Sequence, residues 1–200
     1  ISTSVATNRS KLSRDLGFQN EPIWLNQIHS PTVVVANLSN IGAQADASIS
    51  TDFDMACVVM TADCLPVLFY NHERDVVGAA HAGWRGLSAG ILEQMVKALG
   101  VGRISAWFGP AIGPEHFEVG PEVYAAFVQR DASQASNFKQ TSENKWLADI
   151  YKIAQRRLNL VGVTDVYGGG LCTFSDSTRF YSYRRDKMTG RMASLIWKSK

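Results

Sequence analysis

Three side chains able to bind metal or act as nucleophile or base stand out in the chain: His29, Cys64 and His81. Each closes an apolar run, as IWLNQIH, MACVVMTADC and DVVGAAH show. Two imidazoles and one thiolate suit zinc, and three protein ligands leave a fourth position for water. That is the catalytic arrangement, in which zinc brings the pKa of water toward ~7. Separations of 35 residues (29 to 64) and 17 residues (64 to 81) match no short-range zinc pattern. The alternative is three unrelated core or loop residues. A second alternative makes Cys64 a nucleophile with His81 as base and Asp63 as orienting group.

The segment HAGWRGL (81–87) concentrates further chemistry. Gly83 and Gly86 permit close backbone approach, Arg85 offers a bidentate contact to phosphate, and Trp84 either stacks on a base or packs. GPAIGP (109–114) forms a second tight loop. The arginines 179, 184, 185 and 191 alternate with Phe180, Tyr181 and Tyr183 and either hold phosphate or make a solvated, salt-bridged face. Of the remaining thiols and imidazoles, Cys57 inside MACVVM and Cys172 after GGGL read as packed thiols, and His72 in NHER as solvated. His116 in GPEHFEVG is brought near a ligand only if its loop folds over one.

These groups need a scaffold, and the apolar pattern outlines it. IWLNQIH (23–29) and TVVVAN (32–37) read as adjacent strands joined at Ser30-Pro31. MACVVM (55–60), PVLFY (66–70) and DVVGAAH (75–81) follow as short strands. Ser88 then caps a helix whose residues Ile91, Leu92, Met95, Val96 and Leu99 keep helical spacing until Gly100. RISAWFG (103–109) is a strand, Pro121 opens a helix over 122–130, and 131–144 reads as an exposed polar loop. A helix over about 147–160, a strand before GGG at 168–170, and a last strand ASLIW (193–197) complete the pattern. The chain reads as one mixed α/β domain spanning 1–200, with sheets flanked by helices and strand ends converging on one edge.

Two hundred residues with 46% hydrophobic and 19% charged content are enough for a packed core and too apolar for disorder. A formal charge of +2, with charges scattered, argues against a nucleic-acid partner. No apolar run reaches a membrane span, and three sparse cysteines suit reduced thiols in the cytoplasm. A monomer or weak homodimer is expected.

NQIHSPTVV, ADASIS, TADCLPVLFY, AAHAGWRGL, GPAIGPEHFEVG and CTFSDSTRFYSYRRDKMTGRMASLIW occur in that order. Together, from about Asn8 to Trp197, they resemble the YfiH-type laccase-domain family. The resemblance implies a zinc site made by His29, Cys64 and His81. It also implies phosphorolysis of purine nucleosides such as adenosine, inosine or methylthioadenosine, with adenosine deaminase activity. Cys64, His81 and Asp63 become candidate catalytic residues, with Asp63 a proton carrier; Arg9, Gln27, Trp84, Arg85 and Arg191 become candidate substrate contacts. Copper-dependent oxidation of phenols is the rival, but four histidines cannot build a multinuclear copper cluster beside a His₂Cys centre. A non-enzymatic module with a structural zinc is the other, with Cys172 as the available fourth ligand. The sequence departs from its relatives in two places. ISTS abuts VATNR where similar proteins carry a longer Asn/Gly-rich segment, so residues are expected to be missing between Ser4 and Val5. Glu115-His116 stands where relatives often have cysteine.

Overall fold

The structure, a computed structural model, describes residues 3–199. In chain order its elements are α1 (Thr3–Asp15), β1 (Val33–Val35), β2 (Ala47–Ser50), β3 (Cys57–Thr61), β4 (Leu65–Asn71) and β5 (Val76–Ala82). Then come α2 (Trp84–Ala89), α3 (Ile91–Leu99), β6 (Ile104–Phe108), β7 (Glu118–Val119), α4 (Pro121–Val128), β8 (Phe138–Ser142) and β9 (Lys145–Ala148). The chain closes with α5 (Ile150–Leu160), β10 (Asp165–Gly168), α6 (Tyr183–Asp186) and β11 (Met192–Ile196). The fold is mixed α+β.

Six strands form the main sheet in the order β1-β2-β5-β4-β6-β10, with parallel pairs at both edges and antiparallel pairs in the middle. All seven residues of β5 are buried, because helices cover one face of the sheet and the β3–β11 ribbon covers the other. A strand covered on both faces reads as a continuous apolar run, so His81 is conspicuous within it. The larger core lies between the sheet and α3, α4 and α5, with Phe69, Met95, Phe127 and Ile153 nearly inaccessible. The smaller core lies between the sheets and holds Ile23, Cys57, Val59 and Ala79. Burial pushes the Cys57 thiol up to about 12, which fits an inert packed thiol.

Several local expectations need correction. The segment 23–29 is not a strand: Ile23 and Asn26 make isolated bridges to Cys57 and Gln44, and His29 takes a left-handed φ of 62°. The backbone N–H groups of residues 28–30 are captured by the Asp46 carboxylate instead of a neighbouring strand. Ser88 does not cap a helix; its hydroxyl donates to Arg85 O inside α2, which starts after Gly83. Gly90, at φ 103°, separates α2 from α3, a conformation open to glycine. Segment 131–144 is ordered: Asp131 caps a short 3-10 turn, and Phe138 buries its ring as β8 pairs with β9. Consequently Leu147 belongs to β9, and α5 starts at Ile150 behind Asp149, whose side chain accepts from Lys152 N.

Candidate metal centre and its cavity

Loop, turn and strand each contribute one donor. His81 is fixed on buried β5, Cys64 lies in the turn from β3 to β4, and His29 sits on the loop before β1. Their ligand atoms all lie within 4.8 Å of one another, with Cys64 Sγ 4.0 Å from His29 Nε2. Metal–sulfur and metal–nitrogen bonds of ~2.3 and ~2.0 Å put donors about 3.5 Å apart, so a small contraction closes the set on one ion. These residues could therefore bind a metal.

The two histidines are held by a residue that carried no role in the sequence reading, Asp46. Fully buried just ahead of β2, it accepts from His81 Nδ1 at 2.8 Å. It also accepts from the backbone N–H groups of Ile28, His29 and Ser30 and from the Ser30 hydroxyl. Burial would raise its carboxyl, but the bonds from His81 and Ser30 outweigh that and hold it down to about 2. A carboxyl lower in the folded state than in the unfolded chain stabilises the fold above about pH 4 and loses that contribution as pH falls toward 2. Near-UV circular dichroism across that interval should show Asp46→Asn less sensitive to acid than the parent. The sequence signal was a lone acid in the motif ADASIS, directly before an alternating strand.

In the metal-free protein burial opposes the Cys64 thiolate, yet hydrogen bonds and charges from His29 and His81 prevail and bring it to about 6. For His81, burial works against the cation, and the bonds to Asp46 and Cys64 lift it to about 9. Gly83 must be a glycine here. Its backbone angles suit any residue, but a Cβ would stand 2.9 Å from both Cys64 Sγ and His29 Cδ2. Gly83→Ala is expected to weaken divalent-metal binding by roughly tenfold or more, read by chelator competition, with little change in melting temperature.

The trio opens on a cavity of about 610 Å³, within the ~300–1,000 Å³ usual for small-molecule sites. Trp84, Arg85 and Arg191 line it, as do Arg184, Phe117 and Tyr183, which the sequence reading gave no individual role. The guanidinium contacts of the three arginines are to neutral groups. Arg85 lies over the Trp84 ring, Arg184 donates to Glu118 O, and Arg191 donates to the carbonyls of Thr189 and Gly190.

Asp63 is the one carboxylate in the lining, and its hydrogen bonds make it a tie between loops. Oδ1 accepts from the Thr173 hydroxyl, Oδ2 from Arg184 N, and its carbonyl from Ile112 N. Gln27 faces the cavity, but its amide pairs in both directions with the backbone of Met60. Arg9 stays outside the lining, over Trp24 and against Met60 Sδ. Arg179 pairs with Asp176, and Arg185 binds Asp186 and the carbonyls of Thr173, Phe174 and Phe180. His72 bonds to Ser105, and His116 stacks on Phe174. Cys172 Sγ accepts from Gly113 N in the loop network beside Asp63.

Among the described residues no helix is long and apolar enough to cross a membrane. The family model described as multi-copper polyphenol oxidoreductase laccase matches residues 2–199. A Pseudomonas aeruginosa protein named purine nucleoside phosphorylase is 51% identical over 97% of this chain and 80% of its own. The Escherichia coli purine nucleoside phosphorylase YfiH is 48% identical over 96% and 80%. The crystal structure of a Neisseria meningitidis protein superposes with a TM-score of 0.92 at 44% identity, over 98% of this chain and 81% of that one. A Bacillus licheniformis protein called YfiH gives 0.91 at 27% identity, over 96% and 80%. With the motifs, the fold and the His-Cys-His cluster in agreement, the chain belongs to the YfiH-type laccase-domain family.

Proposed function

We propose that this protein cleaves purine nucleosides with phosphate and also deaminates adenosine, with zinc held by His29, Cys64 and His81. The observation that carries the reading is the cavity itself, where the donor trio shares one lining with Arg85, Arg184 and Arg191. Names given to relatives at about half identity, purine nucleoside phosphorylase, support the phosphorolysis.

Phosphate is a dianion that needs several cationic donors, and guanidinium groups free of carboxylates can turn to it without first losing an ion pair. In phosphorolysis an oxygen of phosphate bonds to C1′ of ribose as the bond to the purine nitrogen breaks. The electron pair leaves with the base, which takes up the proton that hydrogen phosphate gives up on bonding to C1′, and the sugar departs as ribose 1-phosphate. Arg85, Arg184 and Arg191 bind and orient the phosphate, while Phe117 and Tyr183 supply apolar faces for the base. Zinc bound by this donor set supplies Lewis acidity and lowers the pKa of water. Deamination adds water at C6 of adenine and releases ammonia, giving inosine.

Asp46, His81 and Cys64 also lie in the order of a hydrolase triad, with the His81–Asp46 bond at 2.8 Å. That arrangement favours a cysteine-hydrolase reading as the second choice, with Asp46 in the orienting role first considered for Asp63. The copper-oxidase reading lacks ligands, because His72 and His116 are engaged elsewhere and no second His/Cys cluster forms among the described residues.

Product analysis separates the readings. With adenosine, metal-verified protein should yield adenine and ribose 1-phosphate only when phosphate is added, and inosine with or without it. Neither product, together with phenol oxidation on copper loading, overturns the proposal in favour of the oxidase. A covalent Cys64–substrate adduct seen by mass spectrometry moves it to the hydrolase.

A further inference from the structure

We infer that Asp46 is the positioning residue that sets both histidines for metal binding, fixing the His81 tautomer and the left-handed loop that presents His29. The inference deepens the zinc reading and rests on it. Asp46 is fully buried and lies outside the cavity lining.

Five donors converge on its two oxygens. Oδ1 receives His29 N at 2.9 Å and His81 Nδ1 at 2.8 Å. Oδ2 receives Ile28 N at 3.2 Å, Ser30 N at 2.6 Å and Ser30 Oγ at 2.9 Å. The Ser30 oxygen itself accepts from Thr32 N, which leaves its proton for Asp46. All five partners are therefore donors, and an ionised carboxylate is the acceptor-only group that satisfies them. With Nδ1 committed to Asp46, His81 is left with Nε2 for the cluster, and a carboxylate behind a ligating imidazole raises its basicity. The backbone adds a second tie, since His81 N donates to Asp46 O at 2.7 Å.

On the other side the same carboxylate holds three consecutive N–H groups of 28–30. A non-glycine residue at φ 62° persists when its surroundings enforce it, and here the clamp does so. One buried side chain thus sets the geometry of two ligands 52 residues apart (29 to 81).

Asparagine has the same size but turns an NH₂ toward donors, so Asp46→Asn frustrates the clamp without adding volume. Zinc affinity, measured by competition with a chromophoric chelator, should fall by about 10–100-fold in Asp46→Asn. Ser30→Ala removes one of five donors and should stay within about threefold of the parent, a change well below one tenfold step. Folded Asp46→Asn that binds zinc within threefold of the parent overturns the inference. Should that variant fail to fold, the zinc-loaded parent decides the matter by nitrogen-15 NMR. A proton on His81 Nδ1 is expected, whereas metal on Nδ1 and a proton on Nε2 would overturn it. Neither arm uses a nucleoside. Normal zinc binding in Asp46→Asn therefore removes the positioning role alone, while a zinc-loaded parent that releases no base removes the proposed reaction alone.

Discussion

Replacing Cys64 with alanine is expected to abolish purine release and adenosine deamination together, each by at least about 10³-fold, equivalent to roughly 4 kcal/mol. The thiolate is the one anionic donor of the set, and its loss leaves two imidazoles, of which His29 is exposed. The substitution sits in the turn between β3 and β4, where Cys64 is half-buried, so the fold should persist. Product chromatography under saturating zinc is the measurement, with far-ultraviolet circular dichroism to confirm folding. Retention of a tenth or more of either activity would detach that activity from the metal centre. Loss of one product alone would require two separate sites.

Phe69→Ala carries the largest expected cost to stability, about 3–5 kcal/mol. Phe69 is 1% exposed on central strand β4, and its register neighbours are Gly78 on β5 and Ala106 on β6. Both neighbours are too small to fill the space the ring would vacate, and close packing leaves no other route to collapse. For a chain of this size the melting temperature should fall by roughly 6–20 °C. Denaturant unfolding with an unchanged m-value would assign the loss to the cavity, and a shift under 1 kcal/mol would show that the core repacks.

How far these features could be read from sequence depended on how local their cause is. Strands β4 and β5 are apolar runs covered by other elements, β6 alternates buried residues with the more open Ser105 and Trp107, and Pro121 sits at the first turn of α4, so the local pattern located them. Helix α1 buries no residue and therefore has no apolar stripe to detect. Strand β8 hid because Lys139 to Ser142 face solvent and Phe138 alone is buried. The donor trio was visible by residue type at the ends of apolar runs. Its holder was not, because Asp46 acts through backbone N–H groups 16 to 18 residues earlier and an imidazole 35 later. Backbone amides have no signature in the amino-acid alphabet. For the same reason, the ties of Asp63 to the Thr173 hydroxyl and the Arg184 backbone N–H, more than a hundred residues later, left no mark in the sequence.

The pairing of β11 with β3 governs how the molecule is assembled in time. It joins residues 57–61 to 192–196 and so closes a loop of about 130 residues, a slow nonlocal step. During synthesis the donor trio and Asp46 emerge by residue 81, whereas Arg191, immediately ahead of β11, emerges more than a hundred residues later. A nascent chain can therefore bring its His-Cys-His donors together before the Arg191 side of the cavity exists. Until β11 arrives, β3 presents an open apolar edge on which a neighbouring chain can dock in its place. Refolding yield should accordingly decline as protein concentration rises, with the β3 edge as the point where chains meet.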